Sequence, residues 1–339
     1  MELRTGISLK LYTTMRLGGD ARMMAPATTV DDVREIYRAA KAQQLPVFVL
    51  GGGSNVIAHD EGYNGVVLLN HLKGFDVVFD DGTIAVVKIG AGEVWDEVVK
   101  RTVDLGLSGI EAMSAIPGTA GAAPVQNVGA YGQEIADTFV ELEAYDSLRD
   151  EVVKINAQQC EFSYRHSIFR GSAAGRYCIL NITLKLFHLP PKPPFYAGLQ
   201  QYLDDRHITT FTPQVIRDAV MAIRFDKLPD PVKHPNAGSF FKNSLIEPWQ
   251  LKQLREDYPD MPCYDMPNGT CKVPTGWLIE RAGYKGRELR GIRVHDKNAL
   301  VLINESATSY QDLAAVRDEI IQAVYDKFHI RIEQEPLEI

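Results

Sequence analysis

The sequence predicts an α+β protein folded as three lobes. Three observations carry that expectation: a strand–helix–strand opening, a β-rich middle, and helix-dominated patterning from about residue 211.

In the opening segment, Val33, Ile36, Tyr37 and Ala40 recur at helical spacing over residues 31–44. Thr29 and Asp32 stand at the spacing of a capping box ahead of that stripe. PVFVL (46–50) reads as a short buried strand running straight into GGGSN (51–55), and VVLLN (66–70) as a second. From Gly74 onward TIAVVKIGAG, TFVELEAYDS, EVVKIN and CILNITLKLF are β-rich, broken by one helical stretch at 95–105. Between them, residues 106–132 are rich in Gly, Ala and Pro. An irregular segment of that length inside a compact domain usually serves function. PPKPP (190–194) reads as a surface connection.

The third region opens on a helix with Thr212 as N-cap, Pro213 in the first turn, and Val215, Ile216, Ala219, Val220 and Ile223 as its apolar stripe. Further helices are expected at 247–258, at 275–282 (stopped by Gly283) and at 309–328, with a strand at 299–304. HIRIEQEPLEI (329–339) reads as a closing strand. The expected domains are 1–70, 71–210 and 211–328, with 329–339 returning to the first.

With 339 residues, 45% hydrophobic and 24% charged, the chain can bury real cores and has an ordinary globular composition. A formal net charge of -8 argues against nucleic acid or an anionic membrane as partner. The N-terminus lacks a signal-peptide apolar core, and no apolar run approaches bilayer length, so a cytoplasmic protein is expected. Cys160, Cys178, Cys263 and Cys271 form no C-x-x-C pair and have no His at ligand spacing; they read as incidental free thiols in a reducing compartment, with no metal expected.

Neither glycine-rich loop is a Rossmann fingerprint: after GGGSN the third glycine position is Val56, and in GAGEVW (90–95) it is Trp95. No Gly-Lys-Ser/Thr occurs, so a P-loop is excluded as well. IPGTAGAAPVQNVGAYG (116–132) nevertheless supplies a second run of small residues, which lets backbone N–H groups approach a ligand unobstructed. Two such loops can grip a pyrophosphate from both sides. The residues by themselves indicate a dinucleotide without specifying which.

GGGSN, the 116–132 loop, YRHSIF (164–169) and NAGSFFKN (236–243), in that order and at that spacing, resemble the enolpyruvoylglucosamine reductases over about residues 8–335. FYAGLQQYL (195–203) resembles the tyrosine-bearing insertion of one subgroup. The resemblance implies a two-lobed FAD-binding module of the vanillyl-alcohol-oxidase (PCMH) type and a C-terminal α/β substrate domain. It also implies FAD and NADPH as cofactors and a UDP-sugar enolpyruvyl ether as substrate. Gly51, Gly52, Gly53, Ser54 and Asn55 match the loop that binds the FAD pyrophosphate. Pro117, Gly118, Gln126, Asn127, Gly129 and Ala130 match the second flavin loop, with Tyr164 beside it. Tyr131, Tyr196, Arg224, Lys227 and Asn243 match substrate contacts, Arg224 and Lys227 near the diphosphate.

The implied catalytic set is Arg165 for the substrate carboxylate, Ser239 as proton donor and Glu335 as the C-terminal acid. A planar, permanently charged guanidinium suits a carboxylate, although such an arginine commonly serves only as a salt bridge. Ser239 lies in a turn-forming run where a hydroxyl can project, although most turn serines are structural. No G-x-S-x-G elbow makes it a hydrolase nucleophile. The family's end commonly reads LEPEVR, whereas here Pro336 and Leu337 stand in place of Val and Arg. Glu333 and Glu338 are therefore rivals to Glu335, and the count from Phe328 favours Glu335. Two other readings stay open: an oxidase of the related flavin superfamily, and a non-catalytic sensor of nucleotide sugars.

Overall fold

A computed structural model describes residues 2–266 and 268–339. The described chain divides into two compact units: residues 2–7, 21–53 and 63–226 form the first, and residues 8–20, 54–62 and 227–339 the second.

The first unit contains two sheets. In the smaller, strands are ordered Arg4–Ser8, Asp20–Ala27, Tyr63–Asn70, Val47–Leu50, and the last three run parallel. Parallel neighbours need a crossover, and the helix Val30–Ala42 supplies it. Thr29 caps that helix: its hydroxyl accepts from Asp32 N at 3.1 Å while Asp32 Oδ2 accepts from Thr29 N at 2.9 Å. Val33, Ile36, Tyr37 and Ala40 are its buried face. They pack on Ala25, Val66 and Leu68 of the sheet.

The larger sheet is antiparallel throughout, ordered Glu151–Asn156, Phe139–Asp146, Tyr177–Phe187, Ile84–Gly90, Phe75–Asp80. Inward residues such as Val87, Ile89, Leu142, Ile182 and Leu184 alternate along it and bury the helix Trp95–Asp104 through Trp95, Val98 and Val99. A third cluster of the same unit joins the helices Ala197–Asp205 and Pro213–Lys227 through Leu199, Leu203, Ile216 and Val220. Thr212 Oγ1 accepts from Val215 N at 3.2 Å, as its N-cap reading requires.

The second unit is built on a four-stranded sheet ordered Asn236–Ser239, Val301–Asn304, Ile292–Val294, Glu288–Leu289, and on the long helix Tyr310–Phe328. Its core includes Phe240, Phe241, Leu278, Val294, Leu302 and Phe328. The expected closing strand is reduced to Leu337–Glu338, which pairs parallel with Val56–Ile57. Pro336, which has no N–H to donate, stands immediately before it. Among the described residues, no helix is long and apolar enough to cross a membrane.

Candidate active site

The 106–132 segment is a chain of short turns held by side chains from both ends. Three 3-10 turns, Glu111–Met113, Ala120–Ala122 and Pro124–Gln126, lead into a small hairpin in which Gly129 and Ala130 pair with Glu134 and Gln133. Glu111 is buried and ties the segment: Gly109 N donates to Oε2 at 2.6 Å and Gln133 Nε2 to Oε1 at 3.1 Å. Burial raises the Glu111 carboxyl above its ordinary range. Gln133 in turn accepts from Ala112 N at 2.8 Å.

The same segment is clamped from the helices. Arg217, 5% exposed, grips Asp96 with two N–H groups at 2.6 and 2.9 Å, and Ala115 N donates to Asp96 Oδ1 at 2.6 Å. Burial pushes the Asp96 carboxyl upward, but the Arg217 and Ala115 hydrogen bonds outweigh it and leave the pKa lowered. The carboxylate is thus kept charged beside the start of the loop.

Against this frame the first glycine loop comes very close. A Cβ on Gly52 would lie 3.0 Å from Gly118 Cα, and one on Gly51 would lie 2.5 Å from Thr119 Oγ1. Only glycine permits this apposition, and Gly53 and Gly118 adopt positive φ of 64° and 119°. Two backbone loops brought together without side chains form a cradle that fits a pyrophosphate. That is the fit expected for FAD. Thr119 belongs to this junction and was not singled out from the sequence, although it stands inside the quoted loop.

Asn127 spends its side chain on the loop itself. It adopts φ 45°, donates from Nδ2 to Glu134 Oε2 at 2.7 Å and to Ser163 O at 3.2 Å, and accepts from Ala136 N at 3.1 Å. Gln126 Oε1 accepts from Arg170 at 3.1 Å. Glu134 and Arg170, the respective partners of Asn127 and Gln126, were not singled out from the sequence. Arg165 donates to Gly129 O at 3.0 Å and lies over the Tyr164 ring at 5.4 Å, so the YR pair abuts the second loop. Tyr131 meets the Tyr196 ring edge-on, with centroids 5.9 Å apart. Arg224 interacts electrostatically with Tyr131, and its Nε is buried with no hydrogen-bond partner among the described residues. Burial lowers the Arg224 pKa, with Tyr131 and Asp96 opposing. A buried guanidinium with an unmet donor is suited to an anion.

In the second unit, Ser239 ends the strand Asn236–Ser239 opposite Val301, after a bulge at Gly238 with φ 71°. Asn236 shapes that turn by accepting from Gly238 N at 2.8 Å. The C-terminal segment runs beside it: Glu335 N donates to Phe240 O at 2.8 Å, and Phe241 bridges Gln334. The three rival carboxylates separate cleanly. Glu335 is 8% exposed. Glu333 is 73% exposed at its side chain and pairs with Lys242, while Glu338 pairs with Arg317 and His59. Asn243 Oδ1 accepts from Thr275 N at 3.2 Å, and Asn55 O accepts from Leu337 N at 3.0 Å beside Ser54. Lys227 is exposed at the end of its helix.

Comparison with known proteins supplies the assignment. The chain is 41% identical to a UDP-N-acetylenolpyruvoylglucosamine reductase of Ralstonia nicotianae over 97% of its own length and 96% of the relative's. It belongs to the UDP-N-acetylenolpyruvoylglucosamine reductase family. A reductase of the same name from Pseudomonas fluorescens is 38% identical, covering 99% and 98% of the two chains. Residues 230–339 match the family's C-terminal domain, and residues 21–156 match an FAD-binding domain. The chain is therefore an FAD-dependent oxidoreductase. Its fold is shared with a UDP-N-acetylenolpyruvylglucosamine reductase from Thermus caldophilus (TM-score 0.65, 22% identity, 99% and 98% of the chains). It is shared more loosely with 6-hydroxy-D-nicotine oxidase from Arthrobacter nicotinovorans (TM-score 0.51, 15% identity, 95% and 82%). Likeness to the oxidase is one of fold, whereas sequence relatedness lies with the reductases.

Proposed function

We propose that the chain reduces the enolpyruvyl double bond of UDP-N-acetylglucosamine enolpyruvate with electrons from NADPH, giving UDP-N-acetylmuramate for peptidoglycan precursor synthesis in the cytoplasm. The observation that carries this reading is the placement of a buried acid, Glu335, on the backbone immediately beside the Ser239 strand. Bound FAD supplies the hydride transfer that joins the two half-reactions.

Gly51, Gly52, Gly53, Pro117 and Gly118 hold its pyrophosphate through backbone groups, with Ser54, Asn55, Gln126, Asn127, Ala130 and Tyr164 completing or shaping the site. Arg165, steadied by Gly129 O, holds the substrate carboxylate as negative charge develops on it. Tyr131, Tyr196 and Asn243 border the sugar nucleotide, and Arg224 and Lys227 face its diphosphate. Hydride arrives at C3, the terminal carbon of the double bond, and the electron pair moves onto C2 and its carboxylate. Glu335 shares its proton with that charge. Ser239 Oγ delivers its proton to C2 and is reprotonated from its surroundings.

The test is anaerobic NADPH oxidation by the purified, FAD-loaded chain with and without UDP-N-acetylglucosamine enolpyruvate. Sustained oxidation that requires the sugar nucleotide and yields UDP-N-acetylmuramate is expected. Flavin reduction without turnover, or binding without either, would overturn the reading.

A further inference from the structure

The four cysteines look unrelated in sequence, but the fold brings two of them together. Cys263 precedes the strand Tyr264–Asp265, which runs antiparallel to Cys271–Val273 with Asp265 directly opposite Cys271. Side chains alternate along a strand, so Cys263 and Asp265 share a face, and Cys271 lies on that face across the ladder. Both sulfurs and an Asp265 oxygen lie within 4.8 Å of one another.

We propose that Cys263, Cys271 and Asp265 form a binding site for a thiophilic divalent cation of the zinc class. This inference is independent of the reductase reading.

Three lines of reasoning lead there. The first is geometric: with zinc–sulfur bonds of about 2.3 Å and zinc–oxygen bonds of about 2.1 Å, tetrahedral ligands sit roughly 3.5–3.8 Å apart. The observed spacing needs only a contraction of about an ångström, within reach of side-chain rotation. The second is the choice of ion over disulfide. Cys263 and Cys271 are diagonal across the ladder, where Cα atoms are typically about 7–8 Å apart, beyond the usual disulfide range of about 4.4–6.8 Å. A carboxylate on the same face adds a third ligand that a disulfide would not use.

The third is the donor set. Two sulfurs exclude the hard cations that prefer all-oxygen cages and select a soft or borderline ion. Two thiolates and a carboxylate against a divalent ion leave one negative charge. The Arg255 guanidinium, which acts on Cys263 and is anchored on Met261 O at 3.1 and 3.3 Å, offsets it. Cys271 is buried, Cys263 half-buried and Asp265 exposed, so the fourth position faces water. An ion there fastens the hairpin that Met266 and Thr270 close to the strand Ser244–Ile246, which pairs with Cys271–Val273.

The experiment is titration of cobalt(II) into the reduced, chelator-treated, FAD-loaded full chain under anaerobic conditions. Tetrahedral d–d bands, which lie to the red of flavin absorption, should saturate at one ion per chain and vanish on adding zinc. Cys263→Ser should abolish them, and Asp265→Asn should weaken binding by an order of magnitude or more. Both positions lie outside the fully buried core, so flavin content and NADPH oxidation should persist and report a folded chain. Zinc should raise the unfolding temperature of the parent and not of Cys263→Ser. Absence of the bands, their survival in Cys263→Ser, or a Cys263–Cys271 disulfide in the chain as purified, before reduction, would each overturn the proposal.

Discussion

Replacing each C-terminal glutamate by glutamine tests whether Glu335 is the acid proposed above and whether Glu333 and Glu338 serve only the fold. Glu335 is 8% exposed and hydrogen-bonded through its backbone to Phe240, so Glu335→Gln keeps the volume and the ladder contact. What it removes is a proton that can be shared with developing charge. One such charge-stabilising group is worth about 10²–10³ in rate, or ~2.7–4 kcal/mol. That loss should fall on reoxidation of the reduced flavin by the sugar nucleotide, with flavin reduction by NADPH unchanged. Glu333 is 73% exposed and its pair with Lys242 is a surface contact, so Glu333→Gln should change stability by about 0–1 kcal/mol and neither half-reaction. Glu338 accepts from Gln334 and Arg317 and pairs with His59. Glu338→Gln should cost about 1–2 kcal/mol of stability, because Arg317 loses a charged partner, and leave the chemistry intact. Stopped-flow flavin absorbance measures the two half-reactions, and denaturant midpoints measure stability. Wild-type reoxidation in Glu335→Gln, or an equal kinetic loss in Glu333→Gln or Glu338→Gln, would refute the assignment.

Ser239→Ala should preserve flavin reduction by NADPH and slow reoxidation by about 10²–10⁴-fold; equal loss in both half-reactions, seen by the same stopped-flow assay, would contradict a proton-donor role. Arg217→Ala leaves the half-buried Asp96 carboxylate with the Ala115 N hydrogen bond and the weaker attraction of Arg224, and should cost about 3 kcal/mol and lower the flavin content, with partial recovery in Arg217→Lys; unchanged flavin content would mean that the clamp does not position the loop. Asp146, almost fully buried, accepts from Arg176 Nε and from Leu148 N, and the Arg176 bond, assisted by its charge and by Leu148, lowers its pKa despite burial. A depressed carboxyl stabilises the fold above its unfolded pKa of 3.8 and loses that contribution as pH falls through the lower folded value. Asp146→Asn should therefore cost about 1–3 kcal/mol at neutral pH, and its denaturation midpoint should converge on the parent's as pH drops below 3.8; a constant gap would show that the charge is not the source.

Local signals were legible where one element carried its own periodicity and ends. The stripe Val33, Ile36, Tyr37, Ala40 and the Thr29–Asp32 box specify the helix Val30–Ala42 without outside help. The four β-rich stretches from 83 to 187 appear as strands for the same reason. Legibility failed where order comes from distant partners. Segment 106–132 looks shapeless because its turns are set by Glu111 with Gln133, Asn127 with Glu134, and Asp96 with Arg217 across 121 positions. No window of sequence contains that last pair. The helix Ala197–Asp205 was hidden too: it starts after Tyr196, which offers no side-chain cap, and follows a proline-rich connection.

The candidate site divides along the same line. Loop glycines can be named from sequence, because close backbone approach restricts the residue type itself. Choosing among Glu333, Glu335 and Glu338 requires burial and ion-pair partners, which the shared chemistry of three carboxylates conceals. Counting favours Glu335, and tertiary structure adds the burial of Glu335 against the exposure of Glu333. Cys263 and Cys271 show the converse case. Their eight-residue separation matches no familiar ligand spacing, yet antiparallel pairing at Asp265 and Cys271 turns it into proximity. Spacing rules for metal ligands presume a tight knuckle on one segment. A hairpin that brings diagonal positions together meets the same geometric need with a sequence separation set by the length of its turn.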